Sequence, residues 1–153
     1  MLIIKSYIEK SNIEGLGLFA GQDIKEGDII WYLDPTIDHV FTEDDFIDLC
    51  ISQAEEHSER FKRWAYKRGN DYILCSDNTK FANHSDTPNC KSLGQYDVAL
   101  RDIKDGEELT YDYRFIDDEL KEKRGKIYDT VSESTEGETG YTEIGEENGE
   151  TQD

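Results

Sequence analysis

The sequence is poor in several things at once. It holds three cysteines, two prolines and one methionine in 153 residues. Cys50, Cys75 and Cys90 are odd in number and widely spaced. A disulfide framework wants an even set, and structural zinc wants close pairs such as Cys-x-x-Cys. The expectation is therefore three reduced thiols acting as small hydrophobes. No stretch approaches the ~20 apolar residues of a membrane span, and residues 1–5 lack the ~7–15-residue apolar core of a signal peptide. Cytoplasmic placement is expected, or nuclear or host-cell placement for a eukaryotic or viral source. Basic charge is the largest deficit, with 17 Lys and Arg against 36 Asp and Glu, for a net charge of −19. With no basic surplus to release counterions, phosphate-neutralising nucleic-acid binding is excluded, as is polybasic docking on anionic membrane.

The acidity is uneven. From Ile127 onward there are nine acids and no base, which leaves residues 1–126 with a balance of −10. The tail of Glu, Gly, Ser and Thr has too little apolar surface to offset the entropy of ordering, so residues 127–153 read as disordered. Residues 1–126 form the expected single domain.

Within it, residues 2–8 and 28–33 carry β-branched and aromatic side chains punctuated by Gly15, Gly17, Gly21 and Gly27, and read as strands. Residues 42–67 turn to a helical period, opened by Thr42 and Asp45 as a start signal and closed near Gly69. Residues 72–75, 96–100 and 109–113 are short apolar runs, and 117–126 reads as one short helix. The fold class is mainly β with an inserted helix. Two turns echo each other, Asp23-Ile24-Lys25-Glu26-Gly27-Asp28 and Asp102-Ile103-Lys104-Asp105-Gly106-Glu107. Each would deliver the chain into a β-element.

Three stretches carry chemistry. Gly15-Leu16-Gly17-Leu18-Phe19-Ala20 offers two glycines without a Cβ, so backbone can approach a ligand, or simply turn between strands. It is not a dinucleotide fingerprint, because no third glycine opens a helix. Lys80-Phe81-Ala82-Asn83-His84-Ser85-Asp86-Thr87-Pro88-Asn89 is dense in directional donors and acceptors. His84 and Ser85 are adjacent and cannot pair as base and nucleophile, so a serine-hydrolase reading fails. In Gly106-Glu107-Glu108-Leu109-Thr110-Tyr111-Asp112-Tyr113, strand alternation puts Tyr111 and Tyr113 on one face, where they either pack as core or line an apolar channel. Trp31 and Trp64 lie in apolar-patterned stretches where core packing is expected. His39 and His57 read as surface.

In this order and spacing, the three stretches resemble the SET-domain family of protein-lysine methyltransferases, over residues 3–115. The resemblance is to the minimal bacterial and viral type without cysteine-rich flanks. It implies the β-clip fold of several small sheets, with a C-terminal pseudoknot joining the 83–89 and 109–113 segments. It implies S-adenosylmethionine as cofactor, bound by Gly15, Leu16, Gly17, Asn83, His84 and Phe115, and a lysine entering from the opposite face. Tyr113 would be catalytic, and Tyr111 would tune multiplicity towards mono- or dimethylation. Asp86 stands where many relatives carry a zinc-binding cysteine, so no metal is expected. Phe115, residues 117–126 or a second protomer would then close the channel, and a homodimer is one such arrangement. The implied partner is a basic, histone-like or other lysine-rich protein. The rival reading is a non-catalytic SET-like module that binds a lysine-bearing segment.

Overall fold

The computed structural model describes residues 1–118. The expected helix over 117–126, apart from its first two residues, and the acidic tail lie outside the described residues. Ten short strands run in chain order as β1 (Ser6–Lys10), β2 (Leu16–Ala20), β3 (Ile29–Tyr32), β4 (His39–Thr42), β5 (Ala65–Arg68), β6 (Asp71–Leu74), β7 (Asn83–His84), β8 (Cys90–Ser92), β9 (Tyr96–Ala99) and β10 (Thr110–Tyr111). They form four small sheets: the β1–β2 hairpin, β3-β9-β8, β4-β6-β5, and the parallel pair β7–β10. This is the mainly β architecture of several small sheets expected from the sequence.

The first motif is a strand rather than a turn. Gly17 pairs with Glu9 and is buried, while Gly15 supplies the left-handed φ of 53° that closes the hairpin. The expected single helix over 42–67 is two helices, α1 (Glu43–Ser52) and α2 (Glu55–Trp64). Thr42 caps the first, accepting from the Asp45 amide at 3.2 Å. Gln53 and Ala54 then turn extended, with ψ of 159° and 148°. The break has a packing reason. Both helices contribute to one small core, in which Phe46 and Cys50 meet Ala65, Phe61 and Tyr72, and the Phe46 and Tyr72 rings stack at 4.2 Å.

The larger core takes Leu18, Ile24, Ile30, Trp31, Ile73, Ile103 and Leu109, all essentially inaccessible. Cys75 and Cys90 pack there as free thiols, and burial pushes both up to about 12. Ile73→Ala is expected to lower stability by about 2–5 kcal/mol, read as a shift in the urea midpoint. A midpoint unchanged from the parent would contradict the packing described.

The two echoing turns lie side by side. Ile24 and Ile103 exchange main-chain hydrogen bonds at 2.9 Å, and the acids reach across reciprocally. Asp23 accepts from the Asp105 amide and Lys104, and Asp102 accepts from the Glu26 amide and Lys25. The turns thus set the spacing of β3 and of the segment that leads into β10.

Candidate active site

The 83–89 and 108–113 segments are tied together by their own motif residues. In the parallel β7–β10 pair, Asn83 faces Thr110 and His84 faces Tyr111. Buried Asn89 bridges Leu109: its Nδ2 donates to the Glu108 carbonyl and its Oδ1 accepts from the Thr110 amide, both at 2.8 Å. The Ser85 amide donates to the Tyr111 carbonyl at 2.9 Å. His84 Nδ1 accepts from the Tyr113 amide at 3.2 Å and so holds the Tyr113 backbone. The Tyr113 hydroxyl in turn donates to the Ala82 carbonyl at 2.6 Å.

The glycine stretch is fastened to this junction by one carboxylate. Glu108 accepts from Ser11 Oγ and, at 2.8 Å, from Asn83 Nδ2. Asn83 Nδ2 also lies 3.1 Å from the Glu14 and Leu16 carbonyls. Gly17 is needed here for space: a Cβ on it would lie 2.3 Å from Glu108 Oε1. Gly17→Ala is expected to displace Glu108 and lower stability by about 1–3 kcal/mol, visible in thermal unfolding. An unchanged melting temperature would show that Glu108 moves freely, against its hydrogen bonds to Ser11 and Asn83.

Two concavities meet at this junction. A cleft of about 670 Å³ is lined by Glu14, Leu16, Arg60, Trp64, Asn83 and Tyr113. A narrower cavity of about 120 Å³ is lined by Trp31, Tyr66, Asp97, Tyr111 and, again, Tyr113. Arg63, Trp64, Lys80 and Ala82 border both, so Tyr113 stands where the two adjoin. Burial raises the Tyr113 phenol above its ordinary value, with the Glu14 charge adding to it. Burial raises Tyr66 and Tyr111 further still. At neutral pH all three are uncharged donors. Asp97 is the buried acid of the cavity, 5% exposed, and burial lifts its carboxyl to about 6.

The expected site residues divide accordingly. Leu16, Asn83 and Tyr113 line the cleft, while Gly15, at the hairpin turn, and Gly17, in β2, flank Leu16. Tyr111 and Tyr113 share the cavity, but not through strand alternation: β10 ends at Tyr111, and Tyr113 opens a 3-10 turn over residues 113–115. His84 acts through the Tyr113 backbone and lines neither space. Phe115 is 74% exposed and lines neither space; it lies with Pro88 and Leu100 in a third groove that shares Ser92, Tyr111 and Ile116 with the cavity. Asp86 sits 3.4 Å from His84 Nε2 and 3.2 Å from Arg114. Trp31 is buried at 1% exposure as anticipated, yet it also faces the cavity. Trp64 borders both spaces, with Lys80 Nζ 5.3 Å above its ring. Sequence reasoning missed Asp97, Glu108 and Ser11. Asp97 had a legible signal, an acid at the inward position of a strand whose next inward residue is Ala99.

The profile of the SET domain matches residues 15–114 of this chain. The chain belongs to the SET-domain family. Among its relatives, histone-lysine N-methyltransferase trr of Drosophila melanogaster is 32% identical over 127 residues, covering 74% of this chain and 5% of that protein. Human histone-lysine N-methyltransferase 2D is 30% identical over 124 residues, covering 71% and 2%. The SET-domain chain thus spans about a twentieth or less of the length of these curated relatives. In fold it is similar to the solved structure of ctPRC2 in an autoinhibited conformation bound to S-adenosylmethionine. The TM-score is 0.59 at 21% identity, over 82% of this chain and 17% of that one.

Proposed function

We propose that this SET domain transfers a methyl group from S-adenosylmethionine to the side-chain amine of a lysine in a basic protein, stopping at mono- or dimethylation. The observation that carries the reading is the position of Tyr113, its hydroxyl held by Ala82, where a roomy cleft adjoins a narrow aromatic cavity. The cleft suits the cofactor. Its lining holds Glu14 and the Leu16 strand, pinned by Asn83, together with Arg60, Arg63 and Lys80, so both signs of charge are present for a cofactor that carries a sulfonium, an ammonium and a carboxylate. When bound, the cofactor supplies an electrophilic methyl group.

The protein's own part is positioning and drying. Methyl transfer is a direct displacement, so alignment matters more than a protein nucleophile. A free lysine, with a pKa of about 10.4, is almost wholly charged at pH 7, and a buried aromatic wall disfavours that form. Tyr113 is fixed at both ends, by His84 on its amide and Ala82 on its hydroxyl, so its oxygen stands at the junction without reorganisation. The Tyr111 hydroxyl occupies cavity space that a phenylalanine would leave free, which supports low multiplicity.

The test is incubation with labelled S-adenosylmethionine and a panel of basic proteins, followed by mass spectrometry of lysine. Label on lysine ε-nitrogen is the expected result. Tight cofactor binding with no product on any member would replace this reading with a non-catalytic lysine-binding module.

A further inference from the structure

Among the described residues, four buried side-chain polar atoms make no hydrogen bond: Trp31 Nε1, Thr79 Oγ1, Asp97 Oδ1 and Tyr111 Oη. All four residues line the same 120 Å³ cavity. Buried polar groups are otherwise satisfied in more than about nine cases in ten, so four exceptions around one space describe a polar seat rather than a packing fault. An apolar cavity of about 150 Å³ takes a benzene-sized guest, so this one is large enough for a short alkyl chain.

The decisive member is Asp97. It lies on β9 with its side chain turned inward, and isolated buried carboxylates are costly unless a cation or donors meet them. The Ser92 and Tyr111 hydroxyls act on its carboxylate as hydrogen-bonding neighbours, yet Oδ1 is left without a partner, and Arg68 and the Met1 amine act on it as positive charges. Arg68 itself donates to the Gly94 carbonyl. Tyr66, Cys75 and Cys90 face it as uncharged groups, and Lys80, Arg63 and Asp117 stand on the cavity's border.

We propose that Asp97 is the anionic seat of the cavity, a positioning residue whose free carboxylate oxygen accepts a hydrogen bond from the charged end of an alkylammonium chain, with the Tyr111 hydroxyl beside it. This rests on the reading of the cavity as the amine channel. It adds a specificity for docking: the seat favours a chain ending in an N–H-bearing cation over a neutral chain of equal size, because the charged donor makes the stronger hydrogen bond to the carboxylate. The seat acts on arrival of the charged chain, ahead of the proton loss that methyl transfer requires. The apolar wall of Trp31 and Tyr66 would hold the methylenes.

The experiment uses the full chain and n-butylammonium chloride at constant ionic strength, with n-butanol as the neutral probe, followed by NMR titration. The parent is expected to bind n-butylammonium saturably and at least tenfold more tightly than n-butanol. Asp97→Asn should lose that preference while keeping n-butanol binding, which also shows that the variant is folded. A second measurement needs no variant. The Asp97 carboxyl, followed by carbon NMR, should titrate about one unit lower with n-butylammonium bound, because a cation at that distance favours the carboxylate. Equal binding of n-butylammonium by parent and Asp97→Asn, or an Asp97 titration indifferent to it, overturns the proposal. Failure of the methyltransferase reading looks different. There, n-butylammonium still binds at Asp97 and the proposal stands, but no basic protein receives label.

Discussion

Tyr113→Phe is expected to lower methyl transfer to lysine by about 10²–10³-fold while S-adenosylmethionine binding changes little. The hydroxyl is the only group removed, and it donates to the Ala82 carbonyl at 2.6 Å. Folding therefore loses about 1 kcal/mol, far from enough to unfold a domain held by two cores. The ring keeps its place, because His84 holds the residue through its backbone amide rather than through the phenol. The expected pattern is thus a fall in kcat with an almost unchanged cofactor Kd, measured by single-turnover label transfer beside calorimetric titration. A variant that retains most of its turnover would remove Tyr113 from the chemistry and with it the main support for the proposed reaction.

Asp97→Asn is expected to raise stability at pH 7 by roughly 3 kcal/mol, and to flatten its pH dependence. Burial lifts the Asp97 carboxyl from 3.8 to about 6, against the opposing influence of Ser92, Tyr111, the Met1 amine and Arg68. Between those values the folded chain holds a proton that the unfolded chain has released. Stability from this group is therefore fully present below about 3.8 and is lost as pH rises to about 6, above which the burial penalty is constant. An amide has no such charge to bury. Urea midpoints for parent and variant, measured from pH 4 to 7.5, should diverge through that window and stay apart above it. Parallel profiles would show that Asp97 is ordinarily solvated in the folded protein. A buried acid that weakens the fold at neutral pH is the kind of residue kept for a site rather than for a core.

How much of this is legible in the sequence follows from the range of the interactions involved. The 83–89 and 106–113 motifs read as a site because their residue types carry the chemistry themselves: amides and hydroxyls in one loop, and two phenols two residues apart, although β10 ends at the first of them. The helical period over 42–67 is real, and so is the Thr42 cap, both being short-range effects. The break at Gln53 and Ala54 escapes, because it serves a shared core with Tyr72 on another strand and no local signal marks it. The glycine stretch reads locally as a turn because paired glycines favour turns. Pairing with β1 and the close approach of Glu108 make it a strand.

By itself, then, the sequence determined the small β-rich class, the acidic balance and the identity of the motif residues, since composition, alternation and spacing are properties of the chain alone. The tertiary structure alone decided that Tyr113 stands between two spaces and that Phe115 lies outside both. It alone brought the inward-facing Asp97 beside Tyr111. These placements come from strand pairings between distant segments, β3 with β9 and β7 with β10, whose register no local pattern specifies.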